Sequence, residues 1–270
     1  MKAEKAKVFT KILMILFFVI YYVPLLSIVV FSFNEFKSVT HWGGFTFNWY
    51  GELFTDKRLI EIIFYTFLIA VIATVVSVII GTIAAICLTK MRKGFRKFIL
   101  QATNLPIMNA DIVTAIGLLL LFVSIGVEKG YITMLIAHIS FCTPYVIINV
   151  YPKVKSLDPN IMEAAMDLGA KPLRAIKDAV IPQIKSTIIA AGAIAFTMSF
   201  DDFVISYFTG GSKLNISIYL YTEAKKMNPT INALSTIIMI VIVLKIVIDK
   251  IKEGRKEKSE WKKYWFYSLD

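Results

Sequence analysis

The sequence predicts an all-α integral membrane protein with about six transmembrane helices. Its composition is 57% hydrophobic and its mean hydropathy is +0.68. Apolar runs of about 20 residues recur along the chain, long enough to cross a hydrocarbon core of ~30 Å. A soluble domain of 270 residues with this composition would expose large apolar patches. A helical membrane bundle is therefore expected.

The apolar runs predict the individual spans. None alternates polar and apolar residues, which argues against strands, and unpaired backbone groups are not tolerated in lipid, so each run is expected to be helical. The N-terminal run resembles a signal peptide because lysines precede it. It is long for one, however, and no small-residue cleavage site follows, so an uncleaved first helix is predicted. The runs lie at residues 12–33, 60–88, 98–123, 131–151, 187–208 and 231–248.

Basic residues are distributed unequally between the two sets of connecting segments. One set, which includes both termini, contains 23 of the 30 Lys and Arg residues, and the other contains seven. The positive-inside rule assigns the richer side to the cytoplasm. An even number of spans also requires both termini on one side. The net charge of +11 is not accompanied by a nucleic-acid-binding motif, so no nucleic-acid partner is expected.

Motifs for catalysis are absent from the sequence. There is no G-x-x-x-x-G-K-[ST] motif, so the chain is not expected to hydrolyse ATP. His41 lies in a connecting segment and His138 in an apolar run, and both are expected to be structural. Cys87 and Cys142 also lie in apolar runs and are interpreted as small hydrophobic residues. No metal-ligand spacing occurs, so neither an enzyme nor a cofactor site is predicted.

The segment at about 152–186 is too patterned for a simple connector. Asp158 and Pro159 form a helix-start signal, and Gly169 is a suitable left-handed terminator for a helix from Ile161 to Leu168. A second helix is predicted from Leu173 to Val180, ending near Pro182. An apolar stripe and an acidic face on the first helix favour a hairpin that docks into a partner's groove. An amphipathic helix lying on the membrane fits the spacing equally well.

The residue types of this segment resemble the EAA loop of ABC-transporter permeases. Glu163-Ala164-Ala165 is followed by Gly169 and then by Ile181-Pro182. In that family the short helix inserts into a cleft of the ATPase subunit and transmits its closure to the membrane helices. The resemblance implies an ATPase-coupling role for Glu163, Ala164, Ala165, Asp167, Gly169 and Pro182.

Within that superfamily the chain is most similar to the spermidine/putrescine permeases, the C-type subunit in particular. One departure is Asn-Ala-Asp at 109–111, where a proline more usually precedes the acid. The basic tail from 250 to 270 has no recognised counterpart, and attraction to anionic membrane lipid is one hypothesis for it. The supporting motifs are Asn48-Trp49-Tyr50, Asp111-Ile112-Val113, His138-Ile139-Ser140-Phe141-Cys142, Glu163 to Ala170 and Ser199-Phe200-Asp201-Asp202.

The resemblance implies a MetI-like permease bundle in a bacterial plasma (inner) membrane. It divides the chain into a first helix with an aromatic outer loop (1–59), a type-1 transmembrane domain (60–248) and a cytoplasmic tail (249–270). The implied partners are a homologous second permease, two ATP-binding subunits and an external substrate-binding protein. ATP would be bound by the partner ATPase and not by this chain.

Three acids inside the apolar runs, Asp111, Asp201 and Asp202, predict a pathway for cations. Each would cost ~2.5–3.5 kcal/mol in lipid, so all three are expected to face a cavity or a partner charge. Asp111 and Asp201 lie at matched depths, ~20 Å from the inner edge at ~1.5 Å per residue. A polyamine fits such a row of carboxylates, with its methylene segments running past Trp49 or Tyr207, where cation–π contact with the aromatic adds to binding, and with Ser199 supplying a polar contact.

Other interpretations of these acids remain open at the level of sequence. They are also consistent with helix caps or interhelical hydrogen bonds at broken helices. An ABC permease for another small solute is the nearest alternative function. A proton-coupled secondary carrier would use the acids as a relay but would need inverted repeats, which the sequence does not display. A membrane scaffold would have no use for them.

Overall fold

The computed structural model describes residues 2–38, 41–158, 160–224 and 229–267, without the side chains of 2–8, 246, 249 and 252–267. These residues are almost entirely helical, as the sequence predicts. The helices are α1 (Lys2–Phe31), α2 (Asn48–Thr55), α3 (Lys57–Lys90), α4 (Lys93–Met108), α5 (Asp111–Ser124), α6 (Tyr131–Lys155), α7 (Asn160–Asp167), α8 (Pro172–Ala175), α9 (Ile181–Phe200), α10 (Val204–Thr209), α11 (Ile216–Ala224) and α12 (Pro229–Tyr267).

Within the described residues, four helical stretches are long and apolar enough to cross a membrane: Phe9–Phe31, Lys57–Lys90, Tyr131–Lys155 and Pro172–Phe200. The bent pair α4–α5 makes a fifth if it is counted as one span. The predicted run at 231–248 corresponds to Pro229–Lys245, a shorter apolar helix. The predicted number of about six therefore requires both the bent pair and this shorter helix.

The run at 98–123 is not the single helix predicted from its hydropathy. It breaks between Met108 and Asp111, and the two halves are bent by 105°. Asn109 and Ala110 are extended, with ψ of 152° and 138°. Pro106 in the last turn of α4 lacks an N–H, and the carboxylate of Asp111 in the first turn of α5 is favoured by the helix dipole. The bend occurs although no proline directly precedes the acid.

The run at 187–208 is also interrupted. Helix α9 ends at Phe200 and the short helix α10 begins at Val204. Asp201 and Asp202 thus occupy a break between two helices, where backbone N–H and C=O groups need partners from outside the helix.

The second arm of the predicted hairpin does not end near Pro182. From α8 the chain passes through a π-helical turn at Ile176–Val180 directly into α9. The N–H of Ile181 donates to Ile176 O, five residues back, which is the π-helical spacing. Pro182 has no N–H to place, and a proline in the first turn of a helix is tolerated. The arm from the connecting loop is therefore continuous with a membrane span.

The helices form two compact units, 1–57 with 222–270 and 58–221. In the first unit α12 packs against α1 and α2. In the second, α6 packs against α9 and α4, and α10 against α5 and α6. The buried core of the second unit includes Cys142, Val146, Val150 and Ile184. The outward surfaces of the spans are rich in exposed Phe, Ile, Leu and Val, as expected for lipid-facing helices.

Candidate functional site

The break between α9 and α10 is organised by the carboxylate of Asp202. Its Oδ2 accepts hydrogen bonds from the Ser206 N–H at 2.7 Å and the Ser206 hydroxyl at 2.8 Å. Its Oδ1 accepts from the Ile205 N–H at 3.3 Å. These are the donors left without intrahelical partners at the start of α10, so Asp202 acts as a helix cap.

His138 on α6 completes this polar cluster. Its Nδ1 lies 2.6 Å from Ser199 Oγ on α9, and its Nε2 lies 2.9 Å from Ser206 Oγ on α10. Asp202 Oδ2 is 3.5 Å from the same Nε2. The tautomer protonated at Nε2 satisfies each of these donors and acceptors. His138, Ser199 and Ser206 are buried, so the cluster joins three helices within the apolar interior.

Residues at the start of α11 also form hydrogen bonds to the break between α9 and α10. Asn215 Nδ2 donates to the Asp202 carbonyl, and Asn215 Oδ1 accepts from the Ile218 N–H at 2.8 Å. The Ser217 hydroxyl donates to the Asp201 carbonyl at 3.0 Å. The carbonyls freed by the interruption of the helix are thus satisfied by side chains, which holds the broken backbone in one arrangement.

Asp201 differs from its neighbour in its surroundings. It is exposed, and its carboxylate makes no hydrogen bond or ion pair with another described residue. Phe203 and Tyr207 follow it and stack with ring centroids 5.6 Å apart, and the Tyr207 side chain is also exposed. The two consecutive acids therefore have different positions, one holding the junction and one open to a ligand.

Asp111 is also exposed and lies in the first turn of α5. Its carboxylate likewise has no hydrogen bond or ion pair among the described residues. Helix α5 packs against α10, the helix that follows Asp201. Asp111 and Asp201 are thus the two predicted pathway acids that remain available to a ligand.

Ser199 and Trp49 are engaged within the fold. Ser199 is 1% exposed and contacts His138. The Trp49 indole N–H donates to the Asn34 carbonyl at 2.7 Å, and its buried ring is covered by the Lys37 ammonium at 5.6 Å from the centroid. These contacts give Ser199 and Trp49 a structural role. Asp202 also has a structural role, as the cap of α10. The predicted pathway roles of the three remain untested predictions.

The short connecting helix α7 has the predicted terminators. Asp158 Oδ1 accepts the Asn160 N–H at 2.9 Å, as expected for a cap, while Pro159 lies outside the described residues. At the other end Gly169 has φ +88°. The Gly169 N–H bonds to Met166 O at 2.8 Å and the Ala170 N–H to Ala165 O at 3.1 Å. This pair of bonds is a Schellman motif, which favours glycine at the left-handed position.

The predicted coupling residues form an open surface. No residue of α7 is buried, and Glu163, Ala164, Asp167, Gly169 and Pro182 are exposed while Ala165 is half-buried. Leu168 is 91% exposed and lies between the candidate spans, and Leu173 is 82% exposed at the very start of the Pro172–Phe200 stretch. Exposed leucines in a polar connecting loop indicate a contact surface for another protein. Among the described residues, no cluster of His, Cys, Asp or Glu is arranged to hold a metal ion.

Residues 77–253 match the family model described as "Binding-protein-dependent transport system inner membrane component". The putrescine transport system permease protein PotI of Escherichia coli (strain K12) is 37% identical over 238 residues, covering 84% of each chain. The spermidine/putrescine transport system permease protein PotC of the same strain is 31% identical over 240 residues, covering 88% of this chain and 91% of that one.

Solved structures show the same fold. A bacterial ABC transporter involved in the import of the acidic polysaccharide alginate aligns with a TM-score of 0.68 at 18% identity, covering 94% of this chain and 96% of that chain. The resemblance inferred from the EAA-like loop is therefore confirmed. The chain belongs to the binding-protein-dependent transport system inner membrane components, the permease family of ABC importers.

Proposed function

We propose that this chain is the permease subunit of an ATP-driven importer of polyamines such as putrescine and spermidine. It acts with a homologous second permease, two ATP-binding subunits and an external substrate-binding protein. The names of its relatives, PotI and PotC, support the substrate class. The excess of basic residues in the segments around the termini supports a cytoplasmic position for both.

The observation that carries the substrate class is the exposed carboxylate of Asp201 at the α9–α10 break, with Asp111 on the neighbouring part of the bundle. An ionised acid in a membrane protein is favoured when it faces a water-filled path or a cation. A polyamine offers ammonium groups separated by methylene segments. Its methylenes and ammonium groups fit the stacked rings of Phe203 and Tyr207, where cation–π contact is worth ~0.5–2 kcal/mol.

The path from helix α7 to the membrane helix α9 explains how ATP hydrolysis is coupled to transport. Helix α7 packs against α8 and the π-helical turn, and this turn runs without a break into α9. Helix α9 ends at the junction that holds Asp201 and Asp202. A displacement of α7 by a closing ATPase is therefore transmitted along α9 to the acids. The exposed Leu168 and Leu173 provide the apolar part of the docking surface.

The test is ATP-dependent uptake of labelled spermidine and putrescine by the chain reconstituted with its permease partner, ATPase and binding protein. Uptake that unlabelled polyamines compete for, and that anions and neutral sugars do not, is the expected result. ATP-driven uptake of a different solute, with no polyamine uptake, would leave the ABC permease and refute the substrate. Uptake driven by a proton gradient without ATP would refute the coupling mechanism and favour a secondary carrier.

A further inference from the structure

A cavity lies at the end of the bundle where the spans α3 and α6 finish. It has a volume of about 230 Å³. Its walls come from the end of α3, the beginning of α4, the end of α6, helix α7 and the π-helical turn. The lining residues are Ile86, Thr89, Lys90, Arg96, Val154, Lys155, Leu157, Asp158, Ile161, Met162 and Val180.

Three cations line this cavity. Lys90, Arg96 and Lys155 come from three different helices, and the side chain of none makes a hydrogen bond or ion pair with another described residue. Arg96 is half-buried as a residue, and its guanidinium has no acceptor among the described residues. Asp158 is the acid of the lining, and its Oδ1 already caps α7. The cavity therefore carries an excess of positive charge.

The remaining walls are apolar. Ile86, Val154, Ile161, Met162 and Val180 line the same cavity as the cations. The cavity adjoins the termini of two membrane spans, which places it at the level where lipid headgroups meet the hydrocarbon core. A cavity with both cations and apolar walls at this level matches an amphiphile with an anionic head, whereas a soluble anion would use only the cations.

We propose that this cavity binds a phosphate-bearing headgroup, supplied by an anionic phospholipid of the surrounding leaflet. The phosphate lies among Lys90, Arg96 and Lys155, and the guanidinium of an arginine can bind a phosphate with two parallel hydrogen bonds. The first carbons of the acyl chains lie against the apolar wall. The volume corresponds to about eight water molecules at ~30 Å³ each, which suits a headgroup and excludes a whole lipid.

The site adjoins the elements proposed to transmit ATPase closure. Ile161 and Met162 belong to α7, and Val180 ends the π-helical turn. A bound headgroup therefore links α7 to the fixed ends of α3 and α6, and it is expected to influence how α7 moves. The expected influence on the motion of α7 rests on the proposed coupling function. The binding of the headgroup does not rest on that function, because it depends only on the residues that line the cavity.

The test is native mass spectrometry of the purified full-length chain in detergent with added phosphatidylglycerol or phosphatidylcholine. The pocket variant carries Lys90→Gln, Arg96→Gln and Lys155→Gln. A matched control carries Arg92→Gln, Lys93→Gln and Lys97→Gln, which removes the same charge from exposed positions of the same connecting region that do not line the cavity. Arg96→Gln alone is tested in parallel in case the triple variant loses thermal stability.

Retention of phosphatidylglycerol but not phosphatidylcholine by wild type and control, with at least about tenfold weaker binding by the pocket variant, is the expected result. Equal loss in the control and pocket variants would overturn the site, since it would show general charge attraction. Binding of inorganic phosphate that fully displaces phosphatidylglycerol would overturn the lipid source. A chain that retains the lipid but transports no polyamine would leave this site standing and refute only the proposed substrate.

Discussion

Replacing Asp202 by alanine is expected to loosen the junction between α9 and α10, whereas asparagine is expected to preserve it. The carboxylate of Asp202 accepts bonds from the backbone N–H groups of Ile205 and Ser206 and from the Ser206 hydroxyl. Alanine removes every one of these acceptors. Asparagine keeps a side-chain oxygen, and it is as good a cap as aspartate.

The magnitude follows from the groups left behind. Loss of a capping side chain costs ~1 kcal/mol, and a buried donor without an acceptor costs ~1–3 kcal/mol. Ser206 is fully buried, so its N–H has no access to water, while its hydroxyl still has His138. The sum for Asp202→Ala is ~3 kcal/mol, about a hundredfold in the equilibrium for opening the junction. Asp202→Asn is expected to cost ~1 kcal/mol, less than tenfold.

Thiol accessibility measures this opening. The chain has two cysteines, and Cys87→Ser leaves Cys142 alone. Cys142 is fully buried on α6, where its thiol faces the Ala195 carbonyl of α9 at 3.5 Å. Its rate of modification by a thiol reagent in detergent therefore reports separation of α6 from α9. The Asp202→Ala variant should react about a hundredfold faster than its parent.

Asp201→Ala is the matched control, because the carboxylate of Asp201 makes no hydrogen bond or ion pair with another described residue. It should react at the parental rate. Equal rates for Asp202→Ala and the parent would refute the assignment of Asp202 as a cap. Equally fast reaction of the Asp201 and Asp202 variants would show that the two acids have no distinct roles.

Three further predictions concern the backbone and the docking surface. Gly169→Ala should lower thermal stability and ATPase association, because a φ of +88° costs an L-residue ~1–2 kcal/mol. Gly94→Ala is the control, since Gly94 lies in a helix with open space around it, and it should lower neither quantity. Equal effects of the two substitutions would contradict this prediction. Gly81→Ala should lower the melting temperature, because its Cβ would lie 2.7 Å from both Cβ and Cγ1 of Val146. A melting temperature equal to that of the wild type would argue against the clash. Leu168→Arg should abolish ATPase pull-down without changing the melting temperature, and retained association would exclude this surface.

The connecting loop that contains α7 is the part of the molecule that the sequence predicts best. Its signals are local: Asp158 at a helix start, and Gly169 where only a left-handed residue fits. Such signals depend on a few neighbouring residues and need no knowledge of the tertiary structure. The continuity through Pro182 is missed because proline usually marks a boundary, and the sequence does not reveal a π-helical turn before it.

The interruptions of the apolar runs are harder to predict. Hydropathy is averaged over a span, so it does not reveal the two extended residues between Met108 and Asp111 or the break in the helix at 201–203. The break at 201–203 persists because side chains such as Asn215 satisfy its carbonyls. Those partners are brought together only by the folded bundle.

The sequence likewise does not show that Asp202 caps α10 while the carboxylate of Asp201 stays exposed. The two residues are identical in type and adjacent, and the difference depends on where α10 begins. The partner of Asp202, His138, is more than sixty residues away on another helix. A histidine in an apolar run signals a structural role, but its position alone does not identify the acid that it contacts.

The most direct test of the central claim compares polyamine uptake by Asp201→Asn and Asp202→Asn, each assembled with the partner subunits in proteoliposomes. Uptake and ATP hydrolysis are measured in the same vesicles. Asp201→Asn should lose most of its spermidine uptake while its ATPase activity is retained, and Asp202→Asn should transport close to the wild-type rate. Normal uptake by Asp201→Asn, with uptake lost in Asp202→Asn, would contradict the roles assigned to the two acids.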